Sequence, residues 1–466
     1  MVNKLLVFFF FFLITYLGNS TTILAATQLT LTPANELYNF SGWGGNICWG
    51  NGDLDTGSVR YFNELDVKIV RLRLALNFWG PSDQNSFNTH YSVSNLDLTY
   101  FDNLVRNNPQ LQQTLNVAKR AKTLNIPIIL SSWDPPAYPT DKLSVEMHQV
   151  ISTFIMYAYE RYGANIDYYS FNEADIGINV LFSKEEHRDF IKGFGNFFKN
   201  NVKSQSKYQN LKTKLLLGDV GKPFVFRNPW PDYNKYWEPT INDPQAMSYV
   251  GAVSVHTYNK GDALLYPDQP NISGGNEVPI SNGYYWREGL KWWSQVAKDH
   301  NLPLILAEVG TDGSAPSESG LHTWDYALKD LQTYIGGLYY GQPESMLYWS
   351  YIENNRYSLY DSANNLTPDS RFWFIKQLGN ILPNHAKGIQ TTISKDPPIY
   401  LVAFKGDLNG QTQYVLHLAN FSSTDQAVSL AGVPTGTYEG LKTSQTEKFK
   451  CLSNLIPVSG QLLNLT

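Results

Sequence analysis

Cysteine is nearly absent: Cys48 and Cys451 are the only two in 466 residues. So wide a pair carries no metal-binding or redox spacing and excludes a disulfide-built scaffold. On sequence it reads as a single bridge in an oxidising compartment or as two buried thiols. Charge is sparse too, at 17% of residues, and 36 basic against 41 acidic side chains leave a net of −5. With no run of Lys and Arg, nucleic acid is not expected as a partner. HExxH, paired-cysteine and EF-hand spacings are missing, so no metal and no other cofactor is expected. No Gly-x-Ser-x-Gly elbow ends a strand, which argues against an esterase.

What is plentiful is aromatic: 30 Tyr, 24 Phe and 12 Trp, within a hydrophobic share of 42% that can build a large core. Aromatic-rich, charge-poor surfaces suit neutral ligands with flat C–H faces, such as sugars. The first residues read as a leader. Lys4 supplies a positive start, Leu5 to Leu17 form an apolar stretch, and small residues follow at Gly18, Ser20, Ala25 and Ala26. That stretch is shorter than the ~20 residues a spanning helix needs, and no later segment looks membrane-spanning. Residues 1–26 are therefore expected to be a removed signal peptide, and the mature chain a secreted monomer. Asn-x-Ser/Thr sequons stand at Asn39, Asn271, Asn365, Asn420 and Asn464, the acceptors a glycoprotein would use.

From Gly42 to Tyr351, short apolar runs alternate with longer amphipathic stretches. The runs are Gly42 to Ile47, Val67 to Leu76, Ile126 to Trp133, Asp167 to Glu173, Thr213 to Asp219, Gly251 to Tyr258, Leu302 to Glu308 and Ser345 to Tyr351. They are continuous and rich in branched residues, as parallel strands buried on both faces should be. Ser183-Lys184-Glu185-Glu186 is a capping box that opens a helix, and Leu143 to Tyr162 and Tyr285 to His300 carry helical spacing. The predicted fold class is α/β, a (β/α)₈ TIM barrel over 27–385. A doubly wound sheet is the alternative, but no Gly-rich phosphate turn follows the first strand. Residues 386–466 alternate strands with Gly/Asn/Asp turns and predict a β-sandwich side domain, to which 27–38 could add a strand.

In such a barrel the chemistry lies at the carboxyl ends of the strands. The fourth run ends Asn172-Glu173 and the seventh ends Ala307-Glu308. Two Glu finishing apolar strands on opposite sides of one rim are the pair glycoside hydrolysis needs. Glu308 is the expected nucleophile and Glu173 the acid/base, against a bland reading of ion-pair partners or helix caps. Asn172 is placed to bond a sugar 2-hydroxyl. His256 and Tyr258 end the sixth run and are candidates to hold Glu308 ionised or to line the pocket. Arg73 is expected to pair with Glu308 or balance its charge. Trp133, Asp134 and Trp349 are the aromatic and polar candidates for sugar subsites, each with a plain packing alternative.

With those residues in place, the chain resembles the retaining glycoside hydrolases of clan A, family 30 most closely. Gly42-Trp43-Gly44-Gly45 matches the family's entry into strand one, and Val70-Arg71-Leu72-Arg73 its second strand. Ser132-Trp133-Asp134-Pro135-Pro136-Ala137-Tyr138 is similar to its Pro-Pro loop, and Arg371 to Ile389 to its crossing from barrel to β-domain. Asn172-Glu173, His256-x-Tyr258 and Ala307-Glu308 stand in the family's order. Two positions depart from the pattern: Ala174 stands where Pro is usual and Ala307 where Ser is common. The resemblance implies a retaining β-glycosidase on a neutral polysaccharide of xylan, β-1,6-glucan or β-1,6-galactan type. A glucosylceramide-type glycosidase, a transglycosylase and a carbohydrate-binding protein on the same fold stay open, as do families 5 and 39.

Overall fold

The computed structural model describes residues 2–7, 26–48, 54–223, 235–259, 264–265, 283–311, 322–351, 357–361, 367–452, 456–458 and 462–465. Eight parallel strands close a barrel: β1 (Gly42–Ile47), β2 (Ile69–Ala75), β3 (Ile128–Trp133), β4 (Tyr168–Phe171), β5 (Lys214–Val220), β6 (Val250–Asn259), β7 (Leu304–Thr311) and β8 (Ser345–Tyr348). Each overlaps one predicted run, with β5, β6 and β7 extending past the predicted ends. Since β8 pairs with both β7 and β1, the doubly wound alternative is excluded.

Strand alternation divides the apolar side chains between two cores. Val70, Leu72, Leu130, Leu217, Val253 and Leu306 pack outward into the helix layer. Ile69, Ile129, Leu216, Ala252, Ile305 and Leu347 form a separate cluster that fills the barrel's lower interior. The helices begin where the sequence signals them. Ser183 caps Lys184–Phe197 with the full reciprocal capping box, and Ser144 caps Val145–Tyr162, which Gly163 ends at φ +64°. Among the described residues no helix is long and apolar enough to cross a membrane.

The side sheet ties the two ends of the chain together. Thr27–Asn39 runs antiparallel to Asn384–Thr391 and parallel to Val428–Ala431. Pro398–Leu408 pairs with Gln411–Asn420, and Leu29, Leu31, Leu401, Leu416 and Leu430 bury its sandwich-like core. Val2–Val7, inside the expected leader, lies parallel to both Gln411–Asn420 and Gly436–Lys442, so loss of a leader removes one strand from this sheet. Phe40 stacks on Phe404 at 5.1 Å, and Trp43 meets Phe40 edge-on at 6.3 Å, sealing side domain to barrel.

Two expectations change. Cys48 is buried but Cys451 is exposed, and both are free thiols, so neither the bridge nor a pair of buried thiols holds. Asn420 is buried, with its amide given to Thr424 O and its oxygen taken by Ser422 N, so its sequon is closed to glycosylation in the folded chain. Asn39 is exposed, whereas Asn271, Asn365 and the side chain of Asn464 lie outside the described residues. The long stretch Phe78 to Thr99 holds a short helix, Gln84–His90, capped by Asp83; 260–263 and 266–282 lie outside the described residues.

Candidate active site

Above its apolar floor the barrel interior turns polar. Ser131 on β3, Ser170 on β4 and Ser254 on β6 all donate to one carboxylate, Asp219 on β5, at 3.1, 2.7 and 3.1 Å. Arg71 on β2 adds Nη2 at 2.8 Å and His256 on β6 adds Nε2 at 3.0 Å. Burial alone would raise the Asp219 carboxyl, but Arg71, His256 and these hydrogen bonds outweigh it and hold it well below the usual carboxylate range. Asp219 is thus a buried anion with every lone pair engaged.

Simple alternation would turn Asp219 and Glu308 out of the barrel, since Leu216 and Ile305 already point in. Register shifts correct this. The β5–β6 pairing slips between Gly218 and Val220, where Gly218 has φ +109° and Asp219 φ +58°. A Cβ on Gly218 would lie 2.5 Å from Ser254 O, so only glycine fits this bulge. The β6–β7 pairing slips where His256 comes opposite Glu308, so Ala307 and Glu308 both face inward. The strand backbones are deformed to aim these two acids.

Arg71 is the hub of the site. Its guanidinium gives Nη1 to Glu308 Oε1 at 2.5 Å and to Asn46 Oδ1 at 2.9 Å, Nη2 to Asn172 Oδ1 at 2.6 Å, and Nε to Ser131 Oγ at 2.9 Å. Asn46 in turn donates to the carbonyls of Ala307 and Tyr348, fixing the ends of β7 and β8. The pairing expected of Arg73 with Glu308 is therefore made by Arg71. Both arginines face inward, but Arg73 sits one layer nearer the rim and salt-bridges Asp134 instead.

Glu308 is 4% exposed. Besides Arg71 it receives Tyr258 Oη at 2.6 Å and lies 3.3 Å from His256 Nδ1. Burial and the charge of Glu173 push its carboxyl up, while His256, Arg71 and Tyr258 favour the anion. Glu173 follows β4 by two residues, so the strand stops at Phe171, short of the predicted end. It stands in a turn at φ +43°, and its Oε1 meets His256 Nδ1 at 3.0 Å. Burial works against charge on His256, but Glu308 and Asp219 dominate and lift the imidazole to about 10, so both ring nitrogens donate at neutral pH. A carboxylate oxygen of Glu173 and one of Glu308 lie within 4.8 Å of each other and of His256. That cluster does not fit a metal: the imidazolium has no lone pair to offer, and Arg71 already shares Glu308.

The aromatic candidates border this centre. Trp133 lies across Arg71, with the guanidinium carbon 4.7 Å from a ring centroid, and its ring sits 6.2 Å from that of Trp349 at 32°. Asp134, at φ +40°, also accepts from Asn179 at 3.1 Å. Asp175 holds the backbone N–H of Gly221 and Lys222 at 2.7 and 3.1 Å, anchoring the Glu173 turn to the end of β5. The structure thus gathers Asn172, Glu173, His256, Tyr258 and Glu308 directly, with Trp133 beside Arg71 and Trp349 beside Trp133; Arg73 and Asp134 form a neighbouring pair. Sequence reasoning missed Arg71, Asn46 and Asp219. Their signal was polar residues inside otherwise apolar, doubly buried strands.

No protein-family model matches the chain, and no curated protein matches it in sequence. Solved structures do share its fold. A glycoside hydrolase family 30 subfamily 8 xylanase from Clostridium acetobutylicum aligns at a TM-score of 0.63 and 16% identity, over 94% of this chain and 96% of that one. A family 30 endoxylanase from Clostridium papyrosolvens gives 0.64 and 14%, with the same coverage. An endo-β-1,6-glucanase gives 0.56 and 17%, over 96% of this chain and 94% of that one. The barrel with its β side domain is therefore the fold of these enzymes, and the likeness spans nearly the whole chain.

Proposed function

We propose that this protein is a secreted retaining β-glycoside hydrolase acting on a neutral β-linked polysaccharide of the xylan, β-1,6-glucan or β-1,6-galactan type. One observation carries the reading: two buried rim carboxylates with oxygens within 4.8 Å of each other, both beside His256 but only Glu308 held also by Arg71 and Tyr258. Retaining enzymes hold their two carboxyl groups closer, about 5–5.5 Å, than inverting ones, roughly 6.5–9.5 Å, and oxygens this near support the retaining reading. Xylanases and a β-1,6-glucanase with the same fold, and an exported protein of Bacteroides fragilis aligned over 94% of the chain, support substrate class and secretion.

The unequal surroundings of the two acids assign their roles. Glu308, pinned by Arg71 and Tyr258, attacks the anomeric carbon; Glu173, held only by His256 among the contacts described, gives its proton to the departing glycosidic oxygen. The C–O bond to the leaving sugar breaks as the bond to Glu308 forms. Glu173 then takes a proton from water, which attacks the same carbon and frees Glu308. Asn172, fixed by Arg71, offers its amide to the sugar 2-hydroxyl, and Trp349 supplies a face for the ring.

A reducing-sugar assay on xylan, β-1,6-glucan and β-1,6-galactan tests this, with Glu308→Gln as the blank. Release from one polymer, lost in Glu308→Gln, is the expected result. Glu173→Ala should lose most turnover and recover part of it with azide on substrates with good leaving groups. Undiminished activity in either variant rejects the role given to that residue.

A further inference from the structure

A cavity lies away from the catalytic rim, on the seam between barrel and side domain. It is a hollow of about 640 Å³, a size typical of ligand sites. A second hollow of about 330 Å³ shares Leu37, Tyr38 and Gln342 with it, so the two adjoin along one groove line. Gln342 and Glu344 precede β8, Pro303 precedes β7 and Asn39 precedes β1, so the groove reaches the amino ends of the strands. The acids stand at the opposite, carboxyl ends. From there the groove climbs the barrel's flank along the first half of helix Gly283–Asp299.

The lining has a definite chemistry. Tyr38, Tyr284, Tyr339 and Tyr340 contribute four aromatic rings. Tyr339 and Tyr340 come from a π-helical turn, Gly337–Gly341, whose extra residue pushes that segment out against the side domain. Facing them, the planar amides of Asn35 and Gln390 are joined at 2.5 Å, and each keeps further donor and acceptor capacity. Lys291 pairs with Glu288 at 2.6 Å, Lys298 is hydrogen-bonded to Gln342 at 2.6 Å, and Arg287 and Lys395 also line the hollow. Tyrosines, paired amides and hydrogen-bonding cations set along one seam fit a linear sugar chain.

The geometry points to this seam as an accessory glycan-binding site that holds a stretch of polysaccharide away from the catalytic centre. The class of glycan rests on the proposed function; the site itself does not. The test uses Glu308→Gln protein, made without N-glycosylation because Asn39 lies on the rim, titrated calorimetrically with the hexasaccharides of β-1,4-xylose and of β-1,6-glucose. One of them should bind at two sites per chain, and Tyr339→Ala with Gln390→Ala should leave one. In the active parent the same two substitutions should raise KM on the polymer severalfold and leave kcat/KM on an aryl glycoside unchanged. Gln390 is exposed, so Gln390→Ala alone, with Asn35→Ala, repeats the test with little risk to folding. A single site unaffected by these substitutions, or no binding of either sugar, overturns the proposal. Two-site binding without hydrolysis of any polymer would instead reject the catalytic reading and leave the seam site standing.

Discussion

Tyr258 is the residue whose removal best separates electrostatics from architecture. Its phenol, kept protonated by burial and by the adjacent Glu308 charge, donates at 2.6 Å to the carboxylate proposed as nucleophile. A hydrogen bond to a charged group contributes roughly 1.5–3 kcal/mol, so Tyr258→Phe should lower kcat/KM about ten- to hundredfold. The donor favours the anion, so its loss raises the Glu308 pKa and moves the acidic limb of the pH–rate profile to higher pH. An unmoved acidic limb would show that Tyr258 does not control ionisation there. At this scale the sequence was legible for the acids and for His256 and Tyr258 beside them, and opaque for which arginine meets Glu308. Arg71 and Arg73 share one inward face of β2, and nothing in Val-Arg-Leu-Arg says which layer meets Glu308. The answer depends on Asp134 being at hand for the upper arginine, a contact between different strands.

The elements carry the precision of the site in their ends and irregularities. The apolar runs revealed all eight barrel strands because continuous burial on both faces leaves so direct a trace. The bulges at Gly218-Asp219 and Ala307-Glu308 left none, since a bulge arises from pairing register and alternation alone would have sent both acids outward. Just past β5, Gly221 offers a test of how tightly the element ends hold Glu173. A Cβ there would lie 2.8 Å from Glu173 Oε1 and 2.9 Å from Cγ and Cδ. The obstacle is the tip of a flexible side chain, so Gly221→Ala should fold normally and displace the Glu173 carboxyl from His256. General acid catalysis is worth about 10²–10⁴, and a misplaced acid should lose roughly 10² on natural substrates. Aryl glycosides whose leaving groups need no proton should be nearly unaffected in their first step. Equal losses on both substrate types would place the damage elsewhere than in Glu173.

Barrel and side domain are distinct in topology but share a core. Tyr400, Val402, Phe404, Val415 and Ala419 of the side sheet belong to the same buried cluster as the outward-facing residues of the barrel strands. Thr27–Asn39 enters the side sheet before the barrel begins, so the chain crosses the seam twice. The molecule should therefore unfold in one cooperative transition, although two-domain chains often do not. Two buried histidines report on it from either side. His148, on helix Val145–Tyr162 among Phe190, Phe194 and Phe197, is depressed to about 4 by burial, and His417, in the side sheet, to about 3. Below about pH 6.5 the unfolded chain takes up protons that these sites refuse, so each withdraws stability as pH falls from 6.5 to 4, by about 3 kcal/mol. His148→Leu and His417→Leu should each gain that much relative to the parent between pH 7 and pH 4, whatever the other groups contribute. In calorimetry both should move the same single transition. Two separable transitions, one answering to His148 and the other to His417, would mean that the shared aromatic seam does not couple the domains.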